Sequence, residues 1–245
     1  MVKTMPDLKC GDCPIRHRAV CSRCETEELE RLDQIKYYRT YEAGQPISFA
    51  GDEMNFVASV VKGVATISQT LEDGRTQMVG LLLPSDFIGR PGRATSPYDV
   101  TAVSEVTLCC FRRKPFEQMM LTTHNLSERL LDMTLDELDA AREWMLILGR
   151  KTAREKIASL LTIIARREST IGMMPVASEI VIELPLTREA MADYLGLTLE
   201  TVSRQISALK RDEIIRLEGK RKIVVPDFHL LAAETGDDID GGFVA

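Results

Sequence analysis

Six positions midway along the chain, Leu131, Thr134, Leu138, Ala141, Met145 and Leu148, recur in steps that alternate between three and four. That spacing holds one narrow stripe of an α-helix against a partner along its whole length. The outer face is acidic, with Asp132, Asp136, Glu137, Asp139 and Glu143. An internal core helix is one reading of the seam. Six seam positions on a helix so polar elsewhere favour another, a parallel helix pair between two subunits, so a homodimer is expected.

The chain before the seam has a different texture. From Lys36 to Arg112, runs such as Phe56-Val-Ala-Ser-Val-Val and Met78-Val-Gly-Leu-Leu-Leu alternate with glycine-bearing turns. Many short strands at that spacing predict an antiparallel barrel or sandwich. Asp73-Gly74 between two such runs predicts a hairpin. Leu29, Leu32 and Ile35 stand at helical spacing just ahead of this region, Pro115 opens a helical region behind it, and Ser169 to Pro175 reads as a loop.

Four of the six cysteines, Cys10, Cys13, Cys21 and Cys24, crowd the N-terminal segment, and Cys109 and Cys110 stand side by side much later. The N-terminus has no apolar signal-peptide core, and no apolar run approaches the roughly 20 residues needed to cross a bilayer. A cytoplasmic protein with no membrane partner is expected, and there thiols stay reduced. Metal ligation is therefore favoured over disulfides. Taken alone, Cys-x2-Cys-x7-Cys-x2-Cys suits a structural zinc site of four thiolates.

After the seam, Thr187 and Thr198 are N-caps of two short amphipathic helices, and Gly196 marks the turn between them. Helix, short turn, helix is the helix-turn-helix unit. Met191, Leu195, Val202, Ile206 and Leu209 are its predicted core, leaving Glu200, Thr201, Ser203, Arg204 and Ser207 outward. These suit base edges of double-stranded DNA: Arg204 can donate twice to guanine, Glu200 can accept from cytosine, and Ser203 can serve either partner. Lys210, Arg211, Lys220, Arg221 and Lys222 are predicted phosphate contacts, the last three on a wing turn. The net charge of the whole chain is −6, so this local basic excess carries the DNA reading.

With these features the chain resembles the CRP/FNR superfamily, and closely its FNR branch. The marks are Gly44 and Gly51 in early turns, Leu83-Pro-Ser-Asp-Phe-Ile-Gly89 in a later one, and Leu197-Thr-Leu-Glu-Thr-Val-Ser-Arg204 in the recognition helix. The resemblance implies an α+β fold: an N-terminal cysteine loop and a β-roll, which is a jelly roll like those that bind cyclic nucleotides, then a long dimerisation helix and a C-terminal winged helix-turn-helix. The implied boundaries are 1–28, 29–125, 126–152 and 153–230, with a flexible tail from about Asp227, set apart as residues 231–245. It also implies an oxygen-labile 4Fe–4S cluster on three N-terminal cysteines and one from the roll, a TTGAT-N4-ATCAA operator, and contact with RNA polymerase. Carried onto this chain, the ligands are Cys10, Cys13, Cys21 and Cys109, with Phe111 and Phe116 at apolar family positions. Cys13 and Cys21 are seven residues apart where well-known members have five, which keeps Cys24 in competition with Cys21. Cys109 and Cys110 point to opposite faces of a strand, so only one is expected to ligate.

Two other classes are weaker. A cyclic-nucleotide sensor of this superfamily uses an arginine followed by serine or threonine to hold the phosphate. Here Arg93 is followed by Ala94 within Ala94-Thr-Ser-Pro-Tyr-Asp-Val-Thr101, and no cyclic nucleotide is expected. His17, His124 and His229 are scattered without a nucleophile–base pattern, so the chain is not expected to be an enzyme.

Overall fold

The computed structural model describes residues 8–171, 179–219 and 221–237. The chain divides into two compact units, Met1–Thr134 and Leu135–Ala245.

In the first unit α1 (Thr26–Ile35) starts from a capping box, with Glu25 and Glu28 each accepting from the other's backbone N–H. Eight strands follow: β1 (Lys36–Tyr41), β2 (Pro46–Ser48), β3 (Phe56–Lys62), β4 (Ala65–Thr70), β5 (Thr76–Leu82), β6 (Phe87–Ile88), β7 (Asp99–Ala102) and β8 (Val106–Arg112). They form two antiparallel sheets ordered β1-β8-β3-β6 and β2-β7-β4-β5. The expected hairpin is there, with β4 paired to β5 and Gly74 at φ 87°. Gly63, between β3 and β4, has φ 83°, and a Cβ there would lie 2.0 Å from the Glu105 carbonyl oxygen, so only glycine fits.

Inside the roll, Phe56, Ala58, Val60, Leu108 and Cys110 of one sheet meet Ile47, Ala65, Leu82 and Val100 of the other. The opposite face of the first sheet is also buried. Val57, Cys109 and Phe111 there meet Ile15, Val20, Leu32, Phe116 and Leu126 from the N-terminal loop and flanking helices. Burial on both faces explains why β3 and β8 are apolar runs without the alternation of a half-exposed strand.

The helical region expected after Pro115 consists of helix α2 (Arg113–Thr122) and helix α3 (His124–Arg150). Along α3 the seam is uncovered: Leu131, Leu138 and Met145 are 58%, 46% and 73% exposed. Thr134 and Ala141 are exposed too, and Leu148 is half-buried. The chain's own core does not cover this stripe.

In the second unit α4 (Ala153–Ile171) runs through the start of the expected loop. Then come β9 (Ile180–Glu183), α5 (Arg188–Leu195), α6 (Leu199–Arg211), β10 (Arg216–Glu218), β11 (Lys222–Val225) and α7 (Phe228–Ala233), with a sheet ordered β10-β11-β9. Trp144 of α3 stacks on Tyr194 of α5 with ring centroids 4.2 Å apart.

The tail expected to be flexible is ordered as far as it is described. Asp227 caps α7 by accepting from the His229 N–H, and Phe228, Leu231, Ala232 and Thr235 are buried. Lys151, with a side chain only 7% exposed, donates to Asp237 at 2.6 Å and to the Ser159 hydroxyl at 2.9 Å. Arg154 joins Glu234 and Asp212 at 2.5 and 2.7 Å. Phe228, Leu231 and Ala232 are an i, i+3, i+4 set whose burial favours helix over a free tail. Asp237→Ala leaves the Lys151 ammonium buried without its carboxylate. We expect a loss of about 1–2 kcal/mol in denaturant unfolding, below the roughly 3–5 kcal/mol of a fully buried broken pair because Asp237 is itself partly solvated.

Candidate metal centre and nucleic-acid interface

Between the outer face of the first sheet and the N-terminal loop lies a small cavity lined by Cys10, Cys13, Cys21 and Cys109, with Ile15, Ala19, Tyr38, Ser59 and Phe111. Three of the thiols come from one loop and the fourth from β8. Strand alternation decides between the two adjacent cysteines. Cys109, paired with Tyr38 of β1 and Ser59 of β3, is on the cavity side. Cys110, paired with Tyr37 and Ala58, turns into the roll core. Cys24 is buried beside the loop but does not line the cavity. All six cysteines are free thiols. Among the described residues no three His, Cys, Asp or Glu side chains form a ready single-ion site.

Burial is the first cause that raises every one of these thiols above the usual range. Cys10 reaches about 12, helped by its hydrogen bond to Asp33. Cys13 and Cys21 are raised, and Cys109 is raised well above normal by burial and then by its thiol neighbours. Four thiols in an apolar setting fit a group that takes thiolates, because binding a cation there replaces the protons that burial retains.

Cations border this site. Lys36 donates to Asp33 at 2.5 Å and to the Cys10 sulfur at 3.7 Å, and it also donates to the Leu8 carbonyl. Burial lowers its pKa, but the Asp33 hydrogen bond and the Cys10 charge more than offset this, and it stays protonated. Arg16 folds the loop on itself by donating to the Ser22 and Cys24 carbonyls at 2.6 and 2.8 Å. The loop is also tied to α3. Arg129 donates to the Arg18 carbonyl at 2.7 Å, and Arg23 pairs with Asp132 at 2.5 Å and Glu128 at 3.8 Å. His17 is exposed on the loop, away from the lining.

The sequence reading missed Lys36, Ser59 and Arg23. The first two are brought to the thiols only by strand register, which leaves no local signature. Arg23 was visible between Cys21 and Cys24, and its partner on α3 was not.

The second-unit site is the α5–α6 pair. Thr187 accepts from the Ala190 N–H, and Gly196 closes α5 in the left-handed conformation at φ 62°, ψ 43°. Thr198 caps α6 by accepting from the Thr201 N–H. Met191, Leu195, Val202, Ile206 and Leu209 are fully buried, each worth about 1.5–3 kcal/mol in transfer from water. This fixes the outward face of α6, where Glu200, Ser203, Arg204 and Ser207 are exposed. Thr201 departs from the expectation: it is half-buried, and its hydroxyl shares a hydrogen bond with that of Thr198. Lys210 and Arg211 are exposed in the last turn, Arg211 beside Asp212 at 3.6 Å. In the wing hairpin of β10 and β11, Lys222 pairs with Glu218 at 2.6 Å and Arg221 is exposed, while Lys220 lies outside the described residues.

Residues 155–234 match the Crp-like helix-turn-helix domain, and residues 38–123 match the cyclic nucleotide-binding domain. The transcriptional activator protein FnrL of Cereibacter sphaeroides is 68% identical over 234 residues, 96% of this chain and 94% of that protein. A probable transcriptional activator of Rhizobium leguminosarum is 41% identical, over 92% of each chain. The solved structure of FixK2 from Bradyrhizobium japonicum superimposes with a TM-score of 0.73 at 30% identity, covering 83% of this chain and 99% of that one. No helix among the described residues is long and apolar enough to cross a membrane. A DNA-binding transcription regulator and not an enzyme, the chain belongs to the CRP/FNR family.

Proposed function

We propose that this regulator senses oxygen through a 4Fe–4S cluster held by Cys10, Cys13, Cys21 and Cys109. It acts as a cytoplasmic homodimer on a TTGAT-N4-ATCAA-type operator, activating or repressing anaerobic-metabolism genes with RNA polymerase. The observation that carries this reading is the convergence of four thiols, from two distant parts of the chain, on one apolar cavity. A zinc site built from the N-terminal cysteines alone would use Cys24, which stands outside that lining, and would leave Cys109 without a role.

Bound there, the cluster supplies an oxygen-labile crosslink between loop and roll. The rest of the mechanism belongs to the side chains. With the loop docked, Arg23 neutralises Asp132 and Glu128 beside Leu131 of the seam. With the loop released, those carboxylates lose their counter-ion on a helix meant to meet its twin, and like charges there repel. A coupling of about 1–3 kcal/mol is enough to change association or DNA affinity. The exposed seam supports the homodimer, whose two-fold axis suits a two-fold operator.

Two further elements belong to this reading. The exposed Glu72-Asp73-Gly74-Arg75 turn is a candidate polymerase contact, and the second candidate, the stretch after Ile171, lies outside the described residues. Against a cyclic nucleotide, β7 opens on the carboxylate of Asp99, which accepts from the Ala50 N–H at 2.8 Å.

Anaerobically purified protein is expected to be brown, to carry about four iron and four sulfide per chain, and to bind the TTGAT-N4-ATCAA duplex. Air should bleach it and release the DNA. A colourless anaerobic preparation holding about one zinc per chain would sink the sensor reading and leave DNA binding standing.

A further inference from the structure

Ser59 of β3 is directly opposite Cys109 in the strand register and lines the thiol cavity. It is 2% exposed, and its hydroxyl has no hydrogen-bond partner. Buried polar groups are nearly always satisfied, because an orphan forfeits its hydration for nothing. Its neighbours on that face of the strand, Val57 and Val61, are apolar. Other buried hydroxyls without partners, Ser85, Thr123 and Thr162, line no thiol cavity. A lone donor placed among four sulfurs needs an acceptor that arrives with the bound group.

We propose that Ser59 is the hydrogen-bond donor of the metal centre. Its hydroxyl donates to a sulfur of the group carried by Cys10, Cys13, Cys21 and Cys109. This rests on the cluster reading above. Ser59 is then a positioning and tuning residue, not a ligand. A hydrogen bond to sulfur withdraws electron density and makes oxidation harder, one of the levers by which a protein sets the potential of such a site. Ser59 is accordingly expected to slow attack by oxygen.

The test compares full-length wild type, Ser59→Ala and Ser59→Thr, the last of which keeps a hydroxyl. Without metal, Ser59→Ala removes an unsatisfied group and should melt no lower than wild type. With the cluster, the Fe–S stretching frequencies of wild type should shift between H2O and D2O, by an amount that falls in Ser59→Ala and returns in Ser59→Thr. Bleaching at fixed dissolved oxygen should be about fivefold faster in Ser59→Ala, the size expected for one lost hydrogen bond of ordinary net strength. A purely structural serine would instead lower the melting point of the metal-free protein and leave the isotope shift alone, which would overturn the assignment. A normal wild-type cluster with unchanged shift and bleaching in Ser59→Ala sinks the inference only. A wild type that takes up no cluster sinks the sensor reading and the inference together.

Discussion

Cys109→Ala is expected to yield a folded protein that retains almost no iron or sulfide, and Cys110→Ala a protein that retains wild-type amounts. The two residues are neighbours in sequence and both are buried, so composition and exposure cannot separate the outcomes. Only the side of the sheet differs. Cys109 is opposite Ser59 and faces the N-terminal loop, while Cys110 is opposite Ala58 among Val60 and Leu108 in the roll. Each substitution deletes one buried sulfur and should cost about 1 kcal/mol of stability through the gap it leaves. Equal unfolding midpoints for the metal-free variants would show that the contrast is not a folding defect. Cys24→Ala belongs to the same series and should keep the cluster, since its thiol does not reach the cavity. Full iron and sulfide in Cys109→Ala would pass the fourth ligand to another cysteine, and zinc in place of iron, lost in Cys24→Ala but kept in Cys109→Ala, would return the site to a zinc centre made by the first loop. The quantities to measure are iron, sulfide and zinc per chain after anaerobic purification.

The same residues show what the sequence could and could not reveal. That Cys109 and Cys110 face opposite ways follows from strand geometry alone. Which of them faces the loop does not, because β8 is buried on both sides and its apolar run has no polar face to mark the outside. The helix-turn-helix was legible almost to the residue, since Thr187, Gly196 and Thr198 are local backbone signals and act where they stand. α7 was masked by the polar glycine-rich residues that follow it, although Phe228, Leu231 and Ala232 already had helical spacing. Long-range pairs were invisible: Arg23 with Asp132, Lys151 with Asp237 and Ser59 with Cys109 depend on how separate segments are brought together. The first of those pairs ties the cysteine loop to α3, so the link between the thiol cavity and the exposed seam could be read only from the fold.

Arg204→Ala is expected to weaken binding to the TTGAT-N4-ATCAA duplex by about 1–3 kcal/mol per half-site, and to relax discrimination at the G·C pair more than elsewhere. Arg204 stands exposed on α6, whose opposite face is locked by Val202, Ile206 and Leu209. The substitution therefore removes a reading group without loosening the helix, and the unfolding midpoint should not move. Arg204→Lys separates charge from geometry: the cation stays, but the two-pronged donor that matches the guanine edge is lost. It should recover affinity for any duplex and little of the preference for guanine. Lys210→Ala provides the contrast. A phosphate contact carries no sequence information, so its loss should weaken matched and altered duplexes alike and reduce the salt dependence of log K by about one. Fluorescence anisotropy at several salt concentrations, on the matched duplex and on one with the G·C pair replaced, measures all of these. If Arg204→Ala weakened both duplexes equally and lowered the salt slope as Lys210→Ala does, Arg204 would be a backbone contact, and base reading would pass to Glu200 and Ser203.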